Sequence, residues 1–407
     1  MNRRLAKVDE QGLLRQAVMS DNLYRTYSID AAIDILKGFK SDPRSLDLAS
    51  HIADLQPILE NFACLDGSFV GWVSTLFEVA INGGASHASW QSLLSLGEQL
   101  VVPAFVTIDE TVVPFRLPQN GCSMHAIGES LIPCSRGSIQ ARNGNYQRNP
   151  LYRIEVKDSF LYVDEISRPI RLLFLDDYEF PNGQRALPLL GPAYYDESHA
   201  SSLHSVAAGV KLLSRHWEYG ELIVKYFGKS LLPVLSPSSM ENISVSSANF
   251  PGWIVASIDT PLYMAECLVH EASHNLLYAL SRDSALFEGK SEALYYSPWR
   301  PDPRPVDGLL HACFVFSNVI ELYKNIASRA DGLGYQSKIR LGAEIMRMLI
   351  GLDSLSGCDS LTENGVYILD YLYARVERTS AEHLHILTES DRLQIEEHLS
   401  AYRRGMG

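Results

Sequence analysis

The stretch from Pro261 to Leu280 is apolar enough to demand burial, yet within it three ionisable residues that resist burial fall in one motif. These are His270, Glu271 and His274, in the pattern H-E-x-x-H within Leu268 to His274, L-V-H-E-A-S-H. Thr260 is a natural N-cap and Pro261 suits the first helical position, so the segment is predicted to be a helix. Leu262, Leu268, Val269, Leu276, Leu277 and Leu280 make that helix a core element rather than a surface one. Two histidines four apart on a helix project the same way, one turn apart, and can close on a single metal ion. Uncompensated burial of the three polar groups would be costly, and a bound cation relieves that cost.

A catalytic metal site needs a third protein ligand and an open position. Downstream of the motif, Tyr295-Tyr-Ser-Pro-Trp-Arg-Pro-Asp-Pro-Arg-Pro is a proline-punctuated segment that ends where an apolar helix begins at Val306. His311 lies on the second turn of that helix among Leu309, Leu310, Phe314 and Val315, so it is expected to face inward and to be the third ligand. Glu288, Glu292 and Asp307 are its rivals, and Asp307 shares a helical face with His311 and could orient it instead. Arg300 and Arg304 stand close by in sequence. A guanidinium fork binds carboxylates in bidentate fashion, which suits a dicarboxylate or a peptide C-terminus. The alternative for Arg304 is a local pairing with Asp302 or Asp307, or a bond to a loop carbonyl.

The periodicity along the chain predicts an α+β fold, helix-dominated with a β-rich middle region and a metal site on two helices. Residues 1–104 read as a helical N-terminal region, 105–190 as a β-rich region, and 191–407 as a helical H-E-x-x-H core, the three packed as one unit. Strands are expected around Val112, Tyr152–Val156, Phe160–Val163 and Ile170–Leu175, with turn signals at Asn120-Gly, Asn143-Gly-Asn and Asn182-Gly. A long helix is expected over Glu197–Phe227, and a strand or hairpin from Asn242 to Ile258 leads into the motif. Further helices are expected at Val306–Ala327, Ser337–Ile350, Leu361–Val376 and Glu382–Tyr402.

With 407 residues and a net charge of -13, the chain is large enough for a sizeable core and unsuited to general nucleic-acid binding, which needs clustered Lys and Arg. The 6 cysteines, Cys64, Cys122, Cys134, Cys267, Cys313 and Cys358, form no C-x-x-C pair and fit reduced thiols in a cytoplasmic protein. Cys267 and Cys313, close in sequence to the candidate ligands, read as small buried apolar residues. No apolar run follows the N-terminal charges, and no uninterrupted apolar stretch approaches a membrane span in length.

The combination of L-V-H-E-x-x-H, Y-Y-S-P-W-R-P-D-P-R-P and G-L-L-H-A-C-F-V-F, over about Ser244 to Phe316, resembles the HExxH-motif peptide-modification family of ribosomally synthesised, post-translationally modified peptide biosynthesis. Its characterised branch comprises iron- and 2-oxoglutarate-dependent peptide β-hydroxylases. The resemblance implies Fe(II) held by His270, His274 and His311, 2-oxoglutarate held by Arg300 or Arg304, and a ribosomal precursor peptide as substrate. Ala272 stands where many relatives carry an aromatic residue. In such an oxygenase three ligands leave three open positions for keto acid and dioxygen, and the anionic keto acid offsets the missing carboxylate ligand. Glu271 then has no obligatory role as a base.

Two other readings compete. As a zinc metallopeptidase, the chain would use Glu271 as the general base that activates zinc-bound water, although no G-x-x-H extension follows His274. As a non-catalytic precursor-peptide-binding protein, it would offer strand edges in Phe105–Phe180 to an added peptide strand. The sequence leaves the oligomeric state open.

Overall fold

The structure, a computed structural model, describes residues 10–40, 42–61, 67–82, 203–234, 242–289 and 293–383. It also describes the short strands between 105 and 172 and a few positions near 90 and between 393 and 400. Helices dominate. They are α1 (Glu10–Gly38), α2 (Pro43–Asn61), α3 (Gly67–Asn82), α4 (Leu203–His216), α5 (Glu218–Phe227), α6 (Pro261–Asp283), α7 (Val306–Ala327), α8 (Gly332–Leu355) and α9 (Glu363–His383). The class is α+β and helix-rich.

Strands are short. β1 to β8 lie between Phe105 and Leu172, and the residues joining them, with the extent of any β-rich middle, fall outside the described residues. β9 (Ser230–Val234) and β11 (Trp253–Ser257) pair in parallel, Trp253 opposite Ser230, and β10 (Ser244–Val245) pairs antiparallel to β11. With β5 (Gly144–Tyr146), β6 (Ile154–Lys157), β7 (Phe160–Val163) and β8 (Ile170–Leu172), these strands form a sheet of order β10-β11-β9-β8-β7-β6-β5. The strand expected before the motif is therefore present as β10 and β11.

The chain divides into two compact units, each assembled from separated segments. One contains residues 1–18, 208–224 and 260–407, and the other contains 19–207 and 225–259. The second unit is built around Trp72, Trp90, Trp253, Ile29, Leu36, Ile52 and Leu76, all buried. Its Trp72 indole donates to the Leu93 carbonyl at 2.9 Å, so this buried indole keeps a partner for its donor. The first unit packs α7 between α6, α8 and α9. Among the described residues α7 alone is long and apolar enough to cross a membrane, but its apolar window is 67% buried within the protein. It is the central core helix of its unit.

Of the long helix expected over Glu197–Phe227, the described residues 203–227 are interrupted only at Trp217, between α4 and α5, and the hydrogen bonds continue across the break. The Trp217 ring folds over Gly220, where a Cβ would come within 2.1 Å of it. α8 begins earlier than Ser337 because Asp331 caps it, accepting from Gly334 N at 3.1 Å. Most of the helix expected over Glu382–Tyr402 lies outside the described residues.

Candidate metal centre

α6 starts where the sequence places its cap, with the Thr260 hydroxyl accepting from Tyr263 N and Pro261 in the first turn. Most of the helix surface is buried, as its leucines require. One stripe at four-residue spacing, Glu266, His270, His274 and Tyr278, is only half-buried. α7 runs antiparallel along α6, and the residue pairs fix the register. His274 meets His311, Ser273 meets Asn318, His270 meets Phe316, and Glu266 meets Tyr323.

This register gathers the three predicted histidines. Nδ1 of His274 lies 3.4 Å from Nδ1 of His311, with the rings stacked at 5.6 Å. The His270 ring lies 5.1 Å from that of His274, edge-on, and 5.0 Å from Phe316. Tyr278 closes the far side, 4.8 Å from His311. Burial, then the charge of Arg300, pushes His270 down to about 4. Burial likewise takes His311 to about 4 against the pull of Asp307. His274 falls to about 3 through burial. The Glu271 carboxylate opposes this shift, and His270, His311 and Arg300 reinforce it. All three imidazoles are neutral at pH 7, which is the state that offers a lone pair to a metal.

Two imidazole nitrogens bound to one tetrahedral ion at about 2.0–2.1 Å sit about 3.3–3.4 Å apart. The facing nitrogens of His274 and His311 fit that spacing. Glu271 adds a carboxylate at only 2% exposure, with His270 Nε2 at 4.0 Å. A buried carboxylate beside neutral imidazoles is a setting that favours a cation. As arranged, no group of three His, Cys, Asp or Glu among the described residues closes tightly enough to hold a metal ion. The pair is formed, and His270 stands beside it without completing a triad.

No protein-family model matches this chain, and no curated protein does.

The two arginines part company. Arg304 Nε pairs with Asp302 at 3.2 Å, the local pairing that its sequence neighbours allow. Arg300 is exposed, makes no ion pair or side-chain hydrogen bond among the described residues, and is near enough for its charge to act on His270 and His274. Of the rival ligands, Glu288 is exposed and tied through its backbone to Ser360, and Glu292 lies outside the described residues. Asp307 is also exposed and accepts from Gly308 N at 2.8 Å, so it acts on His311 only through its field. Cys267 and Cys313 are buried, and burial pushes the Cys313 thiol far up, so Cys313 is not a reactive thiolate.

Sequence reasoning missed the groups that hold the histidines. The Phe316 ring stacks on Trp299 at 4.7 Å and 4°. Behind the motif, Ser273 Oγ donates to the Val269 carbonyl at 2.6 Å and accepts from Asn318 Nδ2 at 3.0 Å. Asn318 Oδ1 in turn accepts from the buried Arg375 at 2.7 Å. The available signal was a run of polar residues, Ser317 and Asn318, in mid-helix between apolar neighbours, where burial requires partners.

Proposed function

We propose that the chain is a cytoplasmic Fe(II)- and 2-oxoglutarate-dependent oxygenase that hydroxylates a side-chain β-carbon in a ribosomally synthesised precursor peptide. The observation that carries this reading is the neutral histidine cluster with an uncommitted, exposed Arg300 beside it. His274 and His311 would hold the metal, and His270 would join them by rotation of its side chain. Bound iron would supply the activation of dioxygen, one oxygen atom entering the peptide C–H bond and the other entering succinate as 2-oxoglutarate loses carbon dioxide. Arg300 would receive the distal carboxylate of the keto acid, and the half-buried stripe of α6 would face the peptide. Phe316 and Tyr278 line the imidazoles with apolar surface and Trp299 backs Phe316, which strengthens charge interactions there.

One observation favours a second reading, a zinc metallopeptidase. The Glu271 carboxylate lies beside the histidines, where a base for a metal-bound water would be needed.

Anaerobic incubation of the full chain with Fe(II), 2-oxoglutarate and a candidate precursor peptide, followed by admission of air and intact-mass analysis, separates the two. The oxygenase adds one oxygen per event and releases succinate. Peptide fragments formed with zinc alone, and abolished by Glu271→Gln, would establish the peptidase instead.

A further inference from the structure

Between α6 and α7, residues 294–305 form a closed loop. Its base is the antiparallel pairing of β12 (Leu294–Tyr295) with β13 (Arg304–Pro305), Tyr295 opposite Arg304. Within the loop Tyr296, Ser297 and Pro298 are buried, and Arg300 N bonds back to the Ser297 carbonyl at 3.4 Å. Pro298 and Pro301 flank the Trp299-Arg300 pair and restrict its backbone.

Trp299 anchors the tip. One face of the indole lies parallel to Phe316, whose ring meets His270 edge-on. The indole Nε1 donates to Glu344 Oε2 at 2.8 Å, and the other carboxylate oxygen of Glu344 accepts from Arg347 at 2.5 Å. Arg347 thus leaves one carboxylate oxygen for the indole. Gly351 makes room for it, since a Cβ there would lie 3.0 Å from both the indole and Cys313 Sγ. A continuous set of contacts therefore runs from Arg347 through Glu344, Trp299 and Phe316 to His270, and the residue next to Trp299 is the one cation near the histidines left without an ion pair among the described residues.

We propose that Trp299 and Glu344 are positioning residues for Arg300. The indole, stacked on Phe316 and hydrogen-bonded to Glu344, fixes the loop tip so that the Arg300 guanidinium receives a carboxylate anion beside His270 and His274. This inference rests on the reading that an anionic cosubstrate binds at these histidines.

The test is anaerobic calorimetric titration of 2-oxoglutarate into the full chain loaded with Co(II). Trp299→Phe keeps the stacking partner and removes the donor to a carboxylate, and it is expected to raise the Kd for 2-oxoglutarate about tenfold, the size of one charge-assisted hydrogen bond. Glu344→Ala should do the same. Glu344→Gln keeps an acceptor for the indole and should stay within about twofold of wild type. Co(II) affinity should change little in all three. The readout that a merely structural role would not move is the coupling: with Arg300→Ala already in place, Trp299→Phe should cost nothing further. Wild-type binding of 2-oxoglutarate with unchanged Kd in Trp299→Phe and Glu344→Ala, or independent losses in the double variant, overturns the positioning role alone. A wild-type protein that ignores 2-oxoglutarate overturns both this inference and the functional reading beneath it.

Discussion

Inside the motif, the Ser273 hydroxyl ties α6 to α7 through Asn318, and Asn318 is held by Arg375. Arg375 is 4% exposed and sits near Glu321 and Glu10 while also donating to Tyr371. Burial alone would push the Glu321 carboxyl up. The Arg375 charge, with the contacts from Lys324 and Thr379, outweighs burial and holds it below the ordinary range. A carboxyl lowered in the folded state adds stability that is present above its unfolded value and is lost as pH falls through its folded value. Arg375→Met removes the cation and leaves Glu321 buried with only Lys324 as its cation, at an expected cost of about 3 kcal/mol near neutral pH. The gap between variant and wild type should then shrink as pH falls below about 4.5, where the variant's carboxyl is already neutral. Urea midpoints measured at pH 7 and pH 4 check this, and an equal gap at both would show that Glu321 is not the group left behind. Asn318→Ala should cost about 1–3 kcal/mol, because Ser273 and Arg375 each lose a buried partner.

Helix α6 can lie close to α4 because position 209 has no side chain. A Cβ on Gly209 would come within 2.8 Å of Ala265 N and 2.9 Å of the Pro261 carbonyl, backbone atoms that cannot turn aside. Gly209→Ala should therefore cost about 1–3 kcal/mol by overpacking and shift the first turns of the motif helix. Its expected signature is a lower urea midpoint together with weaker Co(II) binding, whereas Gly332→Ala, with open space around its Cβ, should leave Co(II) binding as it was. Much of this element was legible beforehand. Thr260 and Pro261 marked the start of α6, the leucine pattern marked its burial, and the apolar flanks of His311 marked α7. What local pattern could not encode is the register between the two helices, which comes from ridges and grooves meeting over a long sequence separation. That register decides that Phe316 meets His270 and that His311 meets His274. The fates of Arg300 and Arg304 were equally hidden, because both lie in the same proline-rich segment and only the closed loop commits one to Asp302.

For the molecule as a whole, the two compact units give a way to test the metal centre apart from general stability. The histidines lie in the unit containing residues 260–407, while Leu76, fully buried, belongs to the core of the other unit. An ion that binds only the folded site stabilises it by about 2.7 kcal/mol at a free concentration near a hundred times its Kd. Zn(II) or Co(II) should therefore raise the unfolding free energy of wild type by that amount. His274→Ala and His311→Ala should abolish the increment, because each removes one of the two facing nitrogens. His270→Ala reports whether the third ring swings in: loss of the increment places it on the metal, and retention leaves the pair alone. Leu76→Ala should lower the stability of its own unit by about 2–5 kcal/mol yet keep the full increment, since Leu76 belongs to the core of the other unit. Glu288→Ala should change neither quantity, given its exposure. Because two units can unfold in separate steps, each is followed through its own amide hydrogen exchange, α6 and α7 for the metal increment and α2 and α3 for the Leu76→Ala loss. An undiminished increment in His311→Ala would remove α7 from the metal centre and leave His270 and His274 to find their partner elsewhere.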